Sequence, residues 1–222
     1  MTILVEARHQ VRPITAAAFD TYVDFYGNDV VPAMTRHGFE LVGAWQRRAG
    51  EMGQDLALYR FASLADYERA QVSLAADATL GPIIENLLSH IEMAETTKIG
   101  EPLGRAAEQG LERALAQTPA VPRVYQQRIE KLVFSRQARG FELLEQMADF
   151  AGAQGLGSVV AAYRTVTGPG PEATQIWLLP DAATPLAYQR GDPLAAFIEP
   201  LREVAPEQET CWLSPLPYSP LQ

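Results

Sequence analysis

The sequence predicts an α+β fold made of two tandem βαββαβ units, and three observations carry that prediction. The chain matches itself at a single long offset, the same order of strand and helix patterns occurs twice, and a linker-like stretch separates the two passes. At an offset of 122 residues Glu6 falls on Arg128, Arg8 on Glu130, Phe19 on Phe141 and Tyr22 on Leu144. After that helix the offset becomes 118, so that Trp45 meets Tyr163, Tyr59 meets Trp177 and Met93 meets Cys211. A unit of about ninety residues is too long for a solenoid repeat and reads as a duplicated domain.

Each element of the first unit has its own signal. Ile3 to Val11 alternates apolar and polar residues, with Ile3, Val5 and Ala7 on one face and Glu6 and Arg8 on the other, as in a strand. From Thr15 to His37 the spacing turns helical, with Phe19, Tyr22, Val23, Tyr26 and Val30 in one stripe. Arg36 and His37 occupy its last turn and Gly38 follows, which is a helix stop. Phe39–Arg47 and Leu56–Ala62 read as a hairpin around Gly50 and Gly53. Ser63-Leu64-Ala65-Asp66 opens a second helical region, broken near Gly81-Pro82, and Ile91–Ile99 closes the unit as a fourth strand. The order is that of a ferredoxin-like fold, with an expected strand order of 4-1-3-2.

The second unit repeats it with strands at Tyr125–Phe134, Val159–Thr167, Thr174–Leu179 and Glu209–Leu213, and helices at Gln137–Ala153 and within Ala182–Val204. The expected division is residues 1–99, a linker over 100–123 with a helix at Leu103–Gln117 and an extended stretch at 118–122, and residues 124–222. Glu6 and Arg8 against Arg128 and Glu130 form an inverted charge order, which predicts Glu6–Arg128 and Arg8–Glu130 pairs if the strands occupy equivalent places.

Composition narrows the function classes. A net charge of −9 disfavours a nucleic-acid partner, whose readers usually present a basic face. No apolar run has the length of a membrane span, and no basic, apolar leader opens the chain. Cys211 stands alone, so no disulfide framework or cysteine-based metal site is expected, and a cytoplasmic setting fits.

Val5-Glu6-Ala7-Arg8, the Arg36-His37-Gly38 turn, Leu41-Val42-Gly43-Ala44-Trp45 and Tyr59-Arg60-Phe61-Ala62-Ser63-Leu64 resemble the NIPSNAP family. The resemblance covers residues 3–98; Gln10 stands where that family usually has an aromatic. It implies the dimeric α/β-barrel group of ferredoxin-like folds, here as an internal pseudo-dimer. Two four-stranded sheets would face each other, with helices outside and clefts between sheet and helices. The wider group includes cofactor-free monooxygenases, polyketide cyclases, haem-dependent enzymes and simple dimeric modules, so the resemblance leaves the chemistry open.

The residues themselves offer several candidates. Tyr22 and Tyr26, one turn apart, point toward the sheet and with Trp45 and Tyr59 either line a cleft for a small hydrophobic carbonyl or aromatic molecule or form ordinary core. Proton transfer there falls to His9 or Tyr26, with Arg8 or Arg60 polarising an oxygen. His9 and His90 read as cross-strand surface histidines, because no metal-ligand spacing supports a site. His37 is explained by its place in the last helical turn. The second unit has Leu144, Ala148 and Lys131 where Tyr22, Tyr26 and His9 would stand, which predicts a cleft filled by aliphatic side chains and a ligand site in the first unit alone. No metal or cofactor is expected. The alternatives are a non-catalytic interaction module and a haem-binding barrel, for which His9, His37 and His90 are the only imidazoles. Assembly beyond the pseudo-dimer stays open.

Overall fold

The computed structural model describes residues 1–48, 53–117, 123–180 and 193–222. Gly50, the 118–122 stretch and the beginning of the helical region expected from Ala182 lie outside the described residues. The chain divides into two compact units, Met1–Ile99 with Ser214–Gln222, and Gly100–Leu213.

In the first unit, β1 (Ile3–Arg12) leads to α1 (Ala16–Phe25), a π turn at Tyr26–Val30 and α2 (Val31–Arg36). The hairpin β2 (Glu40–Arg47) and β3 (Asp55–Phe61) follows, then α3 (Leu64–Ala75), α4 (Leu80–Leu88) and β4 (Glu92–Pro102). Thr15 caps α1 by accepting from the Ala18 amide, and Ser63 caps α3 by accepting from the Asp66 amide. Gly38 ends α2 at φ +89°, a conformation that a side chain would strain. The strands lie in the order β4-β1-β3-β2, with Val5 opposite Tyr59 and Ala7 opposite Ala57. Ile3, Val5 and Ala7 of β1 and Ala57, Tyr59 and Phe61 of β3 pack with Ala70 of α3, so the odd-numbered positions of both strands face the helices.

The second unit contains α5 (Ala106–Ala116), β5 (Val124–Lys131), α6 (Gln137–Gln154), β6 (Ser158–Thr167), β7 (Glu172–Leu179), α7 (Ala195–Val204) and β8 (Glu207–Pro215). Its strand order is β8-β5-β7-β6. A bulge interrupts β2 between Leu41 and Gly43, and another interrupts β6 between Val159 and Ala161, the same place at an offset of 118.

Three expectations need correction. The helix expected in the linker is packed structure: Ala107, Leu111 and Ala114 of α5 are buried, and a Cβ on Gly110 would lie 2.0 Å from the Val159 carbonyl oxygen of β6. The C-terminal stretch belongs to the first unit, because Ala44 of β2 turns its backbone to it, accepting from the Leu216 amide and donating to Ser219 Oγ, each at 2.9 Å. The strand-one alignment is also one residue out. Arg128 lies opposite Gln175 in the ladder as Ala7 lies opposite Ala57, so the offset there is 121 and not 122. A slip of one residue exchanges the faces of a strand. Glu6 therefore turns away from the helices of its unit, where it pairs with Arg8 at 2.8 Å and Lys98 at 3.9 Å. Arg128 sits on the helix side of its own sheet, bound to Glu130 at 2.7 Å. The two do not occupy equivalent ladder positions, contrary to the alignment from which the charge swap was expected.

No helix among the described residues is long and apolar enough to cross a membrane.

Candidate functional site

The edge of the β1–β3 ladder sets one polar group against another. Extending the ladder beyond Ala7 and Ala57 brings His9 opposite Asp55, and both are buried in the layer between sheet and helices. Asp55 Oδ1 accepts from the His9 backbone amide at 2.9 Å and from His9 Nδ1 at 2.8 Å. Its other oxygen accepts from the Tyr22 hydroxyl at 2.5 Å, and that hydroxyl lies 3.0 Å from His9 Nδ1. At the far side of the ring, Nε2 stands 3.4 Å from the Tyr26 hydroxyl and 3.4 Å from Glu95 Oε2 of β4. Tyr22 and Tyr26 reach these places because they stand four residues apart, with the Tyr26 amide donating to the Tyr22 carbonyl at the end of α1, which puts both phenols on one helix face.

The electrostatics follow from burial. Removing His9 from water is the largest single influence and lowers its pKa, but the Asp55 charge and hydrogen bond, with Glu95 behind them, outweigh it. The net result is a pKa pushed up to about 10, so the ring is an imidazolium at neutral pH. Its hydrogen bond holds the Glu95 carboxyl below the usual carboxylate range, although that side chain is half exposed. Burial pushes the Tyr22, Tyr26 and Tyr59 hydroxyls up, so all three are neutral donors. The cluster is thus a buried cation held by a buried carboxylate, with two phenols beside it and one carboxylate leading to solvent.

The structure brings together His9, Tyr22 and Tyr26, and places Tyr59 next to them through Met34, whose sulfur accepts from both the Tyr26 and Tyr59 hydroxyls at 3.7 and 3.5 Å. It separates the others. Trp45 lies opposite Leu56 and leans over Gly43, on the sheet face away from Tyr59. Arg8, next to His9 in the strand, faces the other way and holds Glu6. Arg60 pairs with Glu40 near the surface, its Nε donating to Oε2 at 2.9 Å. Neither arginine directs its side chain at the His9 ring.

The reading of His9 and His90 as surface neighbours is overturned for His9. His90 is exposed with its ring 6.3 Å from that of Phe25, and Glu95 is the β4 residue that meets His9. Among the described residues no group of three His, Cys, Asp or Glu side chains is arranged to hold a metal ion. His37 ties α2 to the end of α3, with Nδ1 2.7 Å from Ser73 Oγ and Nε2 2.9 Å from Asp77 Oδ2.

Asp55, Glu95 and Tyr218 were missed. Asp55 begins β3 and is an acid at a position whose neighbours on that face, Ala57, Tyr59 and Phe61, are core; that break in pattern was a readable signal. Glu95 lies in an otherwise ordinary polar strand. Tyr218 comes from the C-terminal stretch, packs against Gly27 where a Cβ would sit 2.6 Å from its ring, and has its own hydroxyl pushed up by burial.

The second unit differs at the same places. At the ladder offset of 121, Glu130 and not Lys131 matches His9, and Ala173 matches Asp55. Leu144 is buried as expected, but Ala148 lines a cavity of about 300 Å³, so that cleft is not filled by aliphatic side chains.

A sequence model described as NIPSNAP matches residues 5–98. No curated protein matches the chain. A candidate monooxygenase from Fusobacterium nucleatum subsp. nucleatum superimposes with a TM-score of 0.66 at 7% identity, over 97% of this chain and 92% of its own. An anthrone oxidase-like protein gives 0.61 at 10%, over 96% and 91%. A candidate monooxygenase from Lactobacillus acidophilus gives 0.60 at 8%, over 96% and 93%. At these identities the likeness is one of a mixed α/β fold alone.

Proposed function

We propose, for a chain whose residues 5–98 form a NIPSNAP domain, that the first unit binds a small hydrophobic carbonyl compound with an aromatic ring and moves a proton on it. The observation that carries this reading is the buried His9 cation, oriented by Asp55 and pointing its other nitrogen at Glu95 and Tyr26. A charged ring kept out of water is expensive, and such groups concentrate where charge is used.

The chemistry follows from positions. His9 Nε2 gives its proton to a carbonyl oxygen, directly or through the Tyr26 hydroxyl, while Glu95 takes one from the carbon beside that carbonyl, leaving an enol. Glu95 Oε2 lies 3.4 Å from His9 Nε2, close enough to return the proton and reset both groups. Glu95 is half exposed, so its rotation uncovers the ring nitrogen. A carboxylate held this low is a weak base, which restricts substrates to carbon acids activated by an adjacent aromatic ring.

The test is deuterium uptake by 2-tetralone in D2O, followed by NMR with the intact protein. Exchange should exceed the buffer rate, and His9→Gln or Glu95→Gln should each lower the protein's contribution about a hundredfold. No acceleration by the parent protein, or full exchange in His9→Gln, would mean that the cluster is only a polar core. Haem finds little support at the other two imidazoles: both His37 nitrogens are engaged, and His90 is at the surface.

The same strand order in both units and the matched bulges in β2 and β6 support a second proposal, that the units are ferredoxin-like repeats forming an internal pseudo-dimeric barrel. Recovery of either half as a stable, fully folded monomer in sedimentation would contradict it.

A further inference from the structure

We propose that the second unit holds a separate binding site for a small protonated amine with an apolar body, in the cavity between α5, α6 and the strands β6 and β7. It shares no residue with the His9 cluster and stands whether or not that cluster is catalytic.

Size comes first. The cavity measures about 300 Å³, at the lower end of pockets that enclose small ligands. It exists because small residues line it. Ala148 stands where the first unit has Tyr26, and Ala106, Ala107 and Ala162 form much of the remaining wall. Gly104 turns the chain at φ +74° against Glu145, where a Cβ would come 2.9 Å from Cγ. With Leu103 and Val159 these groups make an apolar lining.

The floor is polar. Gln175 is 1% exposed and lines the cavity from β7. Its Nε2 donates to the Leu144 carbonyl and its Oε1 accepts from Trp177 Nε1, both at 3.3 Å. A carboxamide has two N–H groups and two lone pairs, so these two long bonds leave one donor and one acceptor for a guest. A buried amide beneath an apolar wall is how a pocket orients a ligand.

Charge at the mouth selects the sign. Glu145 and Asp149, one turn apart on α6, face a single Arg105, and the whole chain carries −9. A carboxylate ligand would meet two like charges there, whereas an ammonium group would find two acceptors while its apolar body covers Ala148 and Val159.

The experiment uses the full chain with 2-phenylethylamine as probe, and phenylacetate and 2-phenylethanol as matched anionic and neutral controls. Calorimetry should show saturable binding of the amine at millimolar concentration or tighter, clearly stronger than either control. Because Trp177 donates to Gln175, its fluorescence should change in step. The double variant Glu145→Gln, Asp149→Asn should weaken the amine about tenfold, while leaving the melting temperature close to that of the parent. Ala148→Phe should abolish binding by filling the space, and His9→Gln should leave it unchanged. Equal binding of the three probes, absence of saturable amine binding, or an amine affinity untouched by the charge variants would each overturn the proposal.

Discussion

The helix-facing sides of the two sheets place charge in different ways. In the first, the cation and its partner lie across the ladder, His9 on β1 and Asp55 on β3, with two tyrosines of the overlying helix closing around them. In the second, both members lie on one strand, Arg128 and Glu130 two residues apart, and Gln208 of β8 donates to Glu130 at 2.6 Å. Burial is nearly complete in each case, so each pair is costly to break. The difference is protonic. Arg128 keeps its proton throughout the useful pH range, even though burial lowers its pKa. His9 can lose its own, and Glu95 gives that proton a way out. One unit has a fixed charge with space around it, and the other a movable proton packed in aromatic rings.

The largest expected effects come from removing the anions. Asp55→Asn and Glu130→Gln should each destabilise the protein by about 3–5 kcal/mol at neutral pH, measured by denaturant midpoint, since each leaves a buried cation uncompensated. Their pH dependence should separate them. His9 has a folded pKa of about 10 against 6.5 when unfolded, so its stabilisation is complete below about 6.5 and is lost as pH rises toward 10. The Asp55→Asn penalty should therefore shrink across that window, while the Glu130→Gln penalty stays level. Parallel curves for the two variants would erase the protonic distinction.

Smaller effects should come from the helix residues above each pair. Leu144→Ala removes volume from a buried position and should cost about 2–5 kcal/mol. Tyr22→Phe keeps the ring and loses a hydrogen bond to a buried carboxylate, which should cost about 1.5–3 kcal/mol. Tyr26→Phe removes long contacts to His9 and Met34 and a hydrogen bond with the Tyr59 hydroxyl, and should cost about 1 kcal/mol. If Tyr22→Phe and Tyr26→Phe have equal thermal stability, Asp55 is not the group that orders the cluster.

Local pattern determined much of this protein. The alternation in β1, the helical stripe from Phe19 to Val30, the Gly38 stop and the Ser63 cap are signals a few residues long, and each names its element without help from the rest of the chain. His9, Tyr22 and Tyr26 were legible as a group because one strand face and one helix face hold them. What required the tertiary structure is register. Only the ladder opposes His9 and Asp55, forty-six residues apart, and only the ladder shows that the second strand one is displaced by 121 residues. A side-chain period of two makes a one-residue error invisible in residue type yet complete in consequence, as with Arg128, which the alignment set against Glu6 although it lies on the helix side of its sheet and Glu6 does not. The place of Tyr218 and the packing of α5, a helix the sequence did predict, were hidden for a related reason: extended tails and connecting helices carry no mark of the surface they will meet, because that surface exists only once distant strands have paired.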